Sequence, residues 1–408
     1  MAKVSNSQPL PSREFEFLLT GPTVLSMESR TAFAYSADQA LDRLNDWLGM
    51  RCGMDGNAFG RGALLVGSVY THWLTTYFSH EIAHQQQEYN LGGSGFGHPD
   101  FTSLGAANIP PHWVHPRIDY ALDPEGYMRE VAGGLTQQEL NAKYQYRKDV
   151  IAGESTVGES VAAFMNDISD VAYHTSGLGS GDIADALELR KRYFHETPTR
   201  TEWIALSVAS VALSVRTWES LWAVFDYMIS GERSFEPFAF DAGPAKIYPP
   251  HFSLFAAPHD FFMEAEVPVA IKGWTIFFDV GSTTEKSLNP LRLGAAVYQA
   301  AKPSPSLIPA VDPSLFLNFD EGGYRGVRAG LDLNFRAPDD WILKVGGEVY
   351  YNDYLAGDIQ GYGKAKGFVR VNEHDPPVYD ENEGPFFSWP VSNSSPNWSL
   401  RFGVSRNY

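Results

Sequence analysis

The stretch Val327-Arg328-Ala329-Gly330-Leu331-Asp332-Leu333-Asn334-Phe335-Arg336 decides how the second half of this 408-residue chain folds. Its odd-numbered positions are all apolar, whereas the even-numbered ones are charged, polar or glycine. Because successive side chains of a β-strand point to opposite sides, this period of two gives the strand one apolar and one polar face. The stretch therefore predicts an amphipathic β-strand of about ten residues.

The same alternation recurs before and after this stretch. It is present in six further segments, namely 261–271, 274–280, 291–298, 314–319, 341–351 and 367–371. About eight strands from residue 250 onward, joined by a short strand near Phe15, would make a small barrel. We therefore predict an antiparallel β-barrel at 246–408, with a β-sandwich as the alternative.

The C-terminal strand bears on the choice between these two folds. The apolar face of an amphipathic strand packs inward in a soluble sandwich but faces lipid in a transmembrane barrel. The segment 398–408 alternates apolar residues and ends on an aromatic one, and in this it resembles the C-terminal strand of bacterial outer-membrane barrels. Arg406 departs from that pattern, because an apolar residue is expected there. The resemblance implies a protein of the bacterial outer membrane, with lipid as a partner.

Composition narrows the classes of protein further. The formal net charge of -18 and the lack of a long Lys/Arg cluster argue against a nucleic-acid partner. The single cysteine, Cys52, excludes an intrachain disulfide framework. Aromatic residues make up 14% of the chain, as in many β-rich envelope proteins. Residues 1–9 contain no apolar signal sequence, so an outer-membrane location implies that a signal peptide has been removed.

The first half of the chain has the period of helices instead. We predict a mainly helical domain at 14–235, so the chain as a whole is expected to be an α+β protein. The central motif of this domain is His-Glu-x-x-His at 80–84. On a helix, the four-residue offset puts His80 and His84 about 40° apart on one face, where two imidazoles can bind one Zn²⁺. Glu81 projects beside them, where a carboxylate can accept a proton from a zinc-bound water.

This motif resembles that of the zincin metallopeptidases. The resemblance implies that His80 and His84 are zinc ligands and that Glu81 is the general base in the hydrolysis of a peptide or protein substrate. The metzincin branch does not fit, because Gln87 and Asn90 stand where that branch has glycine and histidine.

In the gluzincin branch of the same superfamily, the third ligand is a glutamate on a later helix. Glu159 opens a helical pattern and is the first candidate here, with Glu154 as the second. Either glutamate could instead be a first-turn residue that the helix dipole favours. The loop histidines His98, His112 and His115 are further candidates for the third ligand. A site with no third protein ligand is also possible.

The two halves together predict a zinc-dependent hydrolase, a peptidase, associated with the bacterial outer membrane. The alternative is a non-catalytic outer-membrane barrel in which the helical segment acts as a plug or a gate. A soluble periplasmic hydrolase with a β-sandwich is a third option.

Overall fold

The chain is an α+β protein with a helical region followed by a large antiparallel sheet. The predicted fold class is confirmed at this level. The structure is a computed structural model. It describes residues 14–21, 27–90, 98–100, 112–114, 124–175, 182, 184–187, 200–256, 261–283, 291–299, 309–320, 323–337, 341–351, 368–369, 378–379 and 397–407.

Long helices dominate the first half of the chain. They are α1 (Met27–Cys52), α2 (Ala58–Asn90), α3 (Pro124–Ala152), α4 (Val157–Thr175), α5 (Arg200–Leu213) and α6 (Val215–Ser230). The apolar stretch at 201–228 is divided at Ser214 into α5 and α6. Within the described part of the chain, no helix combines the length and the apolar character needed to cross a membrane.

The strands are mostly found in the second half. They are β1 (Glu14–Gly21), β2 (His98–Asp100), β3 (His112–Val114), β4 (Ser155–Thr156), β5 (Ser234–Phe235), β6 (Phe240–Ala242), β7 (Ala245–Ile247), β8 (His251–Ala256), β9 (Phe261–Ile271), β10 (Trp274–Thr283), β11 (Leu291–Gln299), β12 (Ala310–Asp320), β13 (Gly323–Arg336), β14 (Trp341–Tyr351), β15 (Phe368–Val369), β16 (Val378–Tyr379) and β17 (Asn397–Asn407).

Eleven of these strands form one antiparallel sheet. Its order is β1-β17-β14-β13-β12-β11-β10-β9-β7-β6, and β8 also pairs with β9. The N-terminal strand β1 joins the sheet as predicted, with Leu18 opposite Gly403 of β17. Among the described strands, no ladder connects β1 to the opposite edge, so the sheet is open and the predicted closed barrel is not found. The alternation along a strand defines its two faces but carries no information on which sheet edges meet.

The sheet has one apolar face and one charged face. The apolar face consists of exposed side chains, including Phe17, Leu19, Phe278, Val280, Leu293, Leu315, Leu331, Phe335, Leu343, Val345, Leu400 and Phe402. The charged face consists of largely buried side chains, including Glu16, Glu264, Glu266, Asp279, Arg292, Arg328 and Glu348. In β13, Leu331 is 46% exposed and Arg328 only 8%, which confirms the alternation that the sequence predicts for this strand.

Arg406 departs from the apolar pattern at the rim of the sheet. Its guanidinium lies 5.3 Å from the centre of the Trp341 ring. The two residues face each other where β14 begins and β17 ends. A cation above an aromatic face is stabilised by the ring quadrupole. The arginine therefore has a specific partner at a position where the sequence pattern calls for an apolar residue.

Helix α3 supplies the cations that oppose the charged face. Lys143 bonds to Glu264, and its Nζ donates to Oδ1 of Asp279 at 2.6 Å. Nε of Arg147 donates to Oε2 of Glu266 at 2.7 Å. All three carboxylates are buried. Because an uncompensated buried charge is strongly destabilising, the helix and this face of the sheet depend on each other.

An apolar core extends this contact between helices and sheet. Val131 and Leu135 of α3 and Trp203 of α5 pack together with Leu254 of β8 and Phe261 of β9. The rings of Trp203 and Phe261 have their centres 4.3 Å apart. The core therefore draws on both of the regions that the sequence predicts as domains.

The substitution Lys143→Met tests the ion pairs between α3 and the sheet. It should lower the free energy of unfolding by about 3–5 kcal/mol, because Glu264 and Asp279 lose a buried cation. Urea unfolding measures this change. The exposed Lys246 of β7 provides the control, since Lys246→Met should change the free energy by less than about 0.5 kcal/mol. Equal effects of the two substitutions would contradict the role of Lys143.

Candidate metal centre

Two histidines of α2 meet at one point inside the helical region. His80 and His84 are each 2% exposed and lie one turn apart. Their Nε2 atoms are 2.9 Å apart, and their rings are inclined by 74°. The two predicted ligands therefore lie on the same side of one helix, as their four-residue spacing requires.

A carboxylate from a distant part of the sequence completes the group. Oδ2 of Asp182 lies 2.9 Å from Nε2 of His80 and 3.0 Å from Nε2 of His84. Burial would raise the pKa of Asp182, but the two histidines outweigh it and hold this pKa well below its usual range. The carboxylate is therefore ionised, as a metal ligand must be.

The three side chains form a group that could hold a metal ion. Each Nε2 faces both the other Nε2 and the carboxylate oxygen, an arrangement that suits a shared cation. Imidazole nitrogen and carboxylate oxygen are ligands of Zn²⁺, and a zinc site with three protein ligands keeps a fourth position for water or substrate. The residues present therefore fit Zn²⁺, and their ligand chemistry also suits other divalent transition metals.

Helices α1 and α3 pack against α2, the helix that carries His80 and His84, and hold it in place. A Cβ atom at Gly134 of α3 would lie 2.4 Å from Cε1 of His80, so only glycine lets the helix approach the ring this closely. Arg30 of α1 donates from Nη1 to the carbonyl oxygen of Ile82 at 3.1 Å. Its Nε donates to Oε1 of Gln137, also at 3.1 Å. The histidine pair thus sits in a tightly packed junction of three helices.

Glu159, the first choice for the third ligand, lies outside this group. Its Oε2 accepts a hydrogen bond from the backbone N–H of Thr156 at 2.7 Å, and Oγ1 of Thr156 accepts one from the N–H of Glu159 at 3.0 Å. This reciprocal pair is a capping box at the start of α4. The other carboxylate oxygen of Glu159, Oε1, accepts a hydrogen bond from Nε2 of Gln39 at 2.7 Å. In the structure, Asp182 and not Glu159 therefore lies beside the two histidines.

Of the remaining alternatives for the third ligand, Glu154 is the one whose side chain the structure describes, and it also lies outside the group. Glu154 is half-buried in the turn that follows α3. His98 and His112 belong to the paired strands β2 and β3, and their side chains are outside what the structure describes. His115 lies outside the described residues.

Glu81 follows His80 on α2 and is half-buried. Its carboxylate is hydrogen-bonded to Tyr77, one helical turn earlier. Burial and the charge of Glu81 both raise the pKa of Tyr77 well above its usual range. The phenol therefore stays protonated and donates a hydrogen bond to the carboxylate. This hydrogen bond orients Glu81, the predicted general base.

A third buried histidine of α2 has a different environment. Nδ1 of His72 lies 2.8 Å from Oδ1 of Asp38, and its Nε2 lies 3.2 Å from Oδ1 of Asp42. Burial lowers the pKa of His72, but the two carboxylates outweigh it and raise this pKa to about 10. The ring is therefore an imidazolium at neutral pH, with both nitrogens protonated. It cannot bind a metal in this state.

Asp182 has no sequence pattern that would mark it as a partner of the two histidines. This residue follows the glycine-containing segment 176–181 and precedes the short helical segment at 184–187, so it has the pattern of an ordinary helix start. It is 98 residues away from His84 along the chain. No spacing rule connects residues at such a distance, and only the folded chain brings them together.

No protein-family model, no curated protein and no solved structure matches the chain. A function therefore has to be inferred from the residues and their geometry.

Zinc retention distinguishes Asp182 from Glu159 as the third ligand. The purified chain should hold about one zinc ion, and Asp182→Ala should lose it, as should the double variant His80→Ala/His84→Ala. Glu159→Gln should keep the zinc and the fold, because glutamine can also complete the capping box with Thr156. Elemental analysis after dialysis measures the zinc content. Zinc retained in Asp182→Ala but lost in Glu159→Gln would contradict this ligand set.

Proposed function

We propose that this protein is a zinc-dependent hydrolase, a peptidase, of the bacterial outer membrane. The observation that carries the proposal is the convergence of His80, His84 and Asp182 on one point, with Glu81 next to the first ligand on the same helix. Two histidines, a carboxylate and an adjacent glutamate are the parts that metal-assisted hydrolysis needs.

In this proposal, His80, His84 and Asp182 hold the zinc ion. A bound zinc polarises the scissile carbonyl and lowers the pKa of water to about 7. Glu81 accepts the proton of the attacking water and passes it to the leaving amine. The hydroxyl of Tyr77 keeps the carboxylate of Glu81 oriented for this proton transfer.

The apolar face of the sheet supports the membrane part of the proposal. Strands β9 to β14 and β17 are 9 to 14 residues long, enough to cross a hydrocarbon layer when they are tilted, and the proposal requires that the edges of the open sheet pair with each other there. Contiguous exposed apolar areas of more than a few hundred Å² are rare on soluble monomers and mark interaction sites. Trp274 and Trp341 lie near the strand ends at one rim, where interfacial aromatic residues are expected. Lipid is therefore the partner that we propose for this face.

One observation favours the alternative of a non-catalytic protein with a helical plug. Helix α3 is fixed to the charged face by Lys143 and Arg147, which pair with buried carboxylates of the sheet. A plug in the lumen of a barrel would need such contacts. The zinc group would then only stabilise the helices, and the protein would hold zinc without hydrolysing peptides.

The substitution Glu81→Gln separates the enzyme from the plug. It should leave the zinc content unchanged and lower kcat/KM for a peptide library by about 10²-fold or more, because the amide keeps the shape but cannot accept the proton. Glu154→Gln is the control, since its carboxylate lies outside the metal group. A zinc-loaded wild-type protein that cleaves no library member would support the plug instead.

The substitution Leu331→Arg tests the lipid-facing surface. Leu331 is 46% exposed near the middle of β13, so an arginine there should cost little in water but about 2–4 kcal/mol in a bilayer. Phe335 lies on the same face at the rim and provides the control, because the cost falls to about 0–1 kcal/mol near the interface. Unfolding in lipid vesicles measures both. A full chain that stays monodisperse without detergent, with Leu331→Arg as stable as the wild type, would contradict the outer-membrane location.

A further inference from the structure

A cavity lies between α3 and the charged face of the sheet. Its volume is about 280 Å³, close to the lower end of the range for small-molecule sites. Seven of its lining side chains are Lys or Arg, whereas three are Asp or Glu. This concentration of cations is unusual in a chain with a formal net charge of -18.

The cations Lys143 and Arg147 of α3 are paired, but their partners in the sheet lie behind them. Glu264 and Asp279, which face Lys143, have side-chain exposures of 1% and 0%. The side chain of Lys143 is 10% exposed. The side chain of Arg147 is 19% exposed, whereas that of its partner Glu266 is 1% exposed. The surface that a ligand meets is therefore formed by ammonium and guanidinium groups. A guanidinium has five N–H donors, so one carboxylate does not exhaust its capacity to bind an anion.

The strand side of the cavity has the same arrangement. Arg328 is 10% exposed and pairs with Glu348, which is 1% exposed. Arg401 is 12% exposed; its Nη1 lies 3.5 Å from the same carboxylate, and its Nε lies 3.1 Å from Oδ1 of Asp332, which is 18% exposed and also lines the cavity. Two guanidinium groups thus share Glu348 while both contribute to the cavity wall.

Glu16 shows an excess of cations most directly. Its Oε2 lies 2.9 Å from Nζ of Lys148, and its Oε1 lies 2.5 Å from Nζ of Lys344. The two lysines have side-chain exposures of 15% and 18%, compared with 2% for Glu16. One buried carboxylate therefore serves two ammonium groups, and both lysines are more exposed than the carboxylate between them.

Apolar side chains complete the wall. They come from both sides of the cavity and include Leu18, Leu140, Phe316 and Ile342. An inorganic anion would use only the cationic part of this surface. A ligand with an anionic head and a short hydrocarbon chain would use both parts.

We propose that this cavity binds a small amphipathic phosphate, with the phosphate group between Lys148, Lys344 and the neighbouring arginines. The phosphate could belong to a free organic phosphate or to the headgroup of a phospholipid, since both offer the same chemistry. The site does not include the metal centre and does not depend on its activity.

Hexyl phosphate is the probe for this site. Calorimetric titration of the full chain in an uncharged detergent should give saturable binding of one equivalent, tighter than that of inorganic phosphate and weakened by added salt. The double variant Lys148→Gln/Lys344→Gln should bind about tenfold more weakly or worse, because it loses two charge-assisted contacts. Lys246→Gln, on the exposed strand β7, should bind as the wild type does. The same titration after removal of zinc with a chelator should be unchanged, which separates this site from the proposed hydrolase.

A second measurement avoids the variants, in case the double variant does not fold. Hexyl phosphate should protect Lys148 and Lys344 of the wild type from acetylation, as mapped by mass spectrometry, and should leave Lys246 unprotected. Competition by phosphatidylglycerol in mixed micelles would support a lipid headgroup as the source of the phosphate. Binding that phosphatidylglycerol does not displace would support a free organic phosphate. Absence of saturable binding, absence of protection, or equal binding by the double variant would overturn the proposal.

Discussion

The burial of charge between α3 and the sheet is the constraint on which the rest of the structure depends. Glu264 and Glu266 of β9 and Asp279 of β10 are buried, whereas the side chains on the other side of these strands are half-buried at Ala265 and Val267 of β9 and exposed at Phe278 and Val280 of β10. Buried carboxylates of this kind are tolerated only when cations meet them, and Lys143 and Arg147 of α3 do so. The sheet therefore has its polar side within the protein and its apolar side outside, the reverse of a soluble domain.

The same helix connects this network to the metal centre. Gly134 of α3 touches His80, and Lys143 lies nine residues later, about 13 Å along the helix axis. If α3 moved while keeping its ion pairs with the sheet, Gly134 would collide with the imidazole of His80 or leave it. The missing side chain at Gly134 and the charges at Lys143 and Arg147 thus fix one helix from two sides. The position of the histidine pair is consequently defined relative to the sheet as well as to its own helix.

Local periodicity explains which features the sequence could predict. The alternation in 327–336 gave the two faces of β13 directly, because a strand needs only its own residues to define them. His80 and His84 could be paired for the same reason, since their spacing is one helical turn. The third member of the group could not be found in this way, because Asp182 reaches the two histidines through the tertiary fold alone. Glu159 has a structural role that the sequence also indicates, because Thr156-x-x-Glu159 is a capping-box signature and accounts for the acidic side chain without any metal.

The position of Arg406 agrees with the proposed outer-membrane location. An arginine in the middle of a lipid-facing surface is costly, but near the interface the cost is about 0–1 kcal/mol. Arg406 stacks on Trp341 at the end of β17, and both groups are of the kind that membrane interfaces favour. Leu331, by contrast, occupies the middle of its strand and has no polar neighbour on the same face. Along the strands, apolar residues such as Leu331 therefore give way to the stacked Arg406 at the rim. In a bilayer, hydrocarbon would give way to water in the same direction.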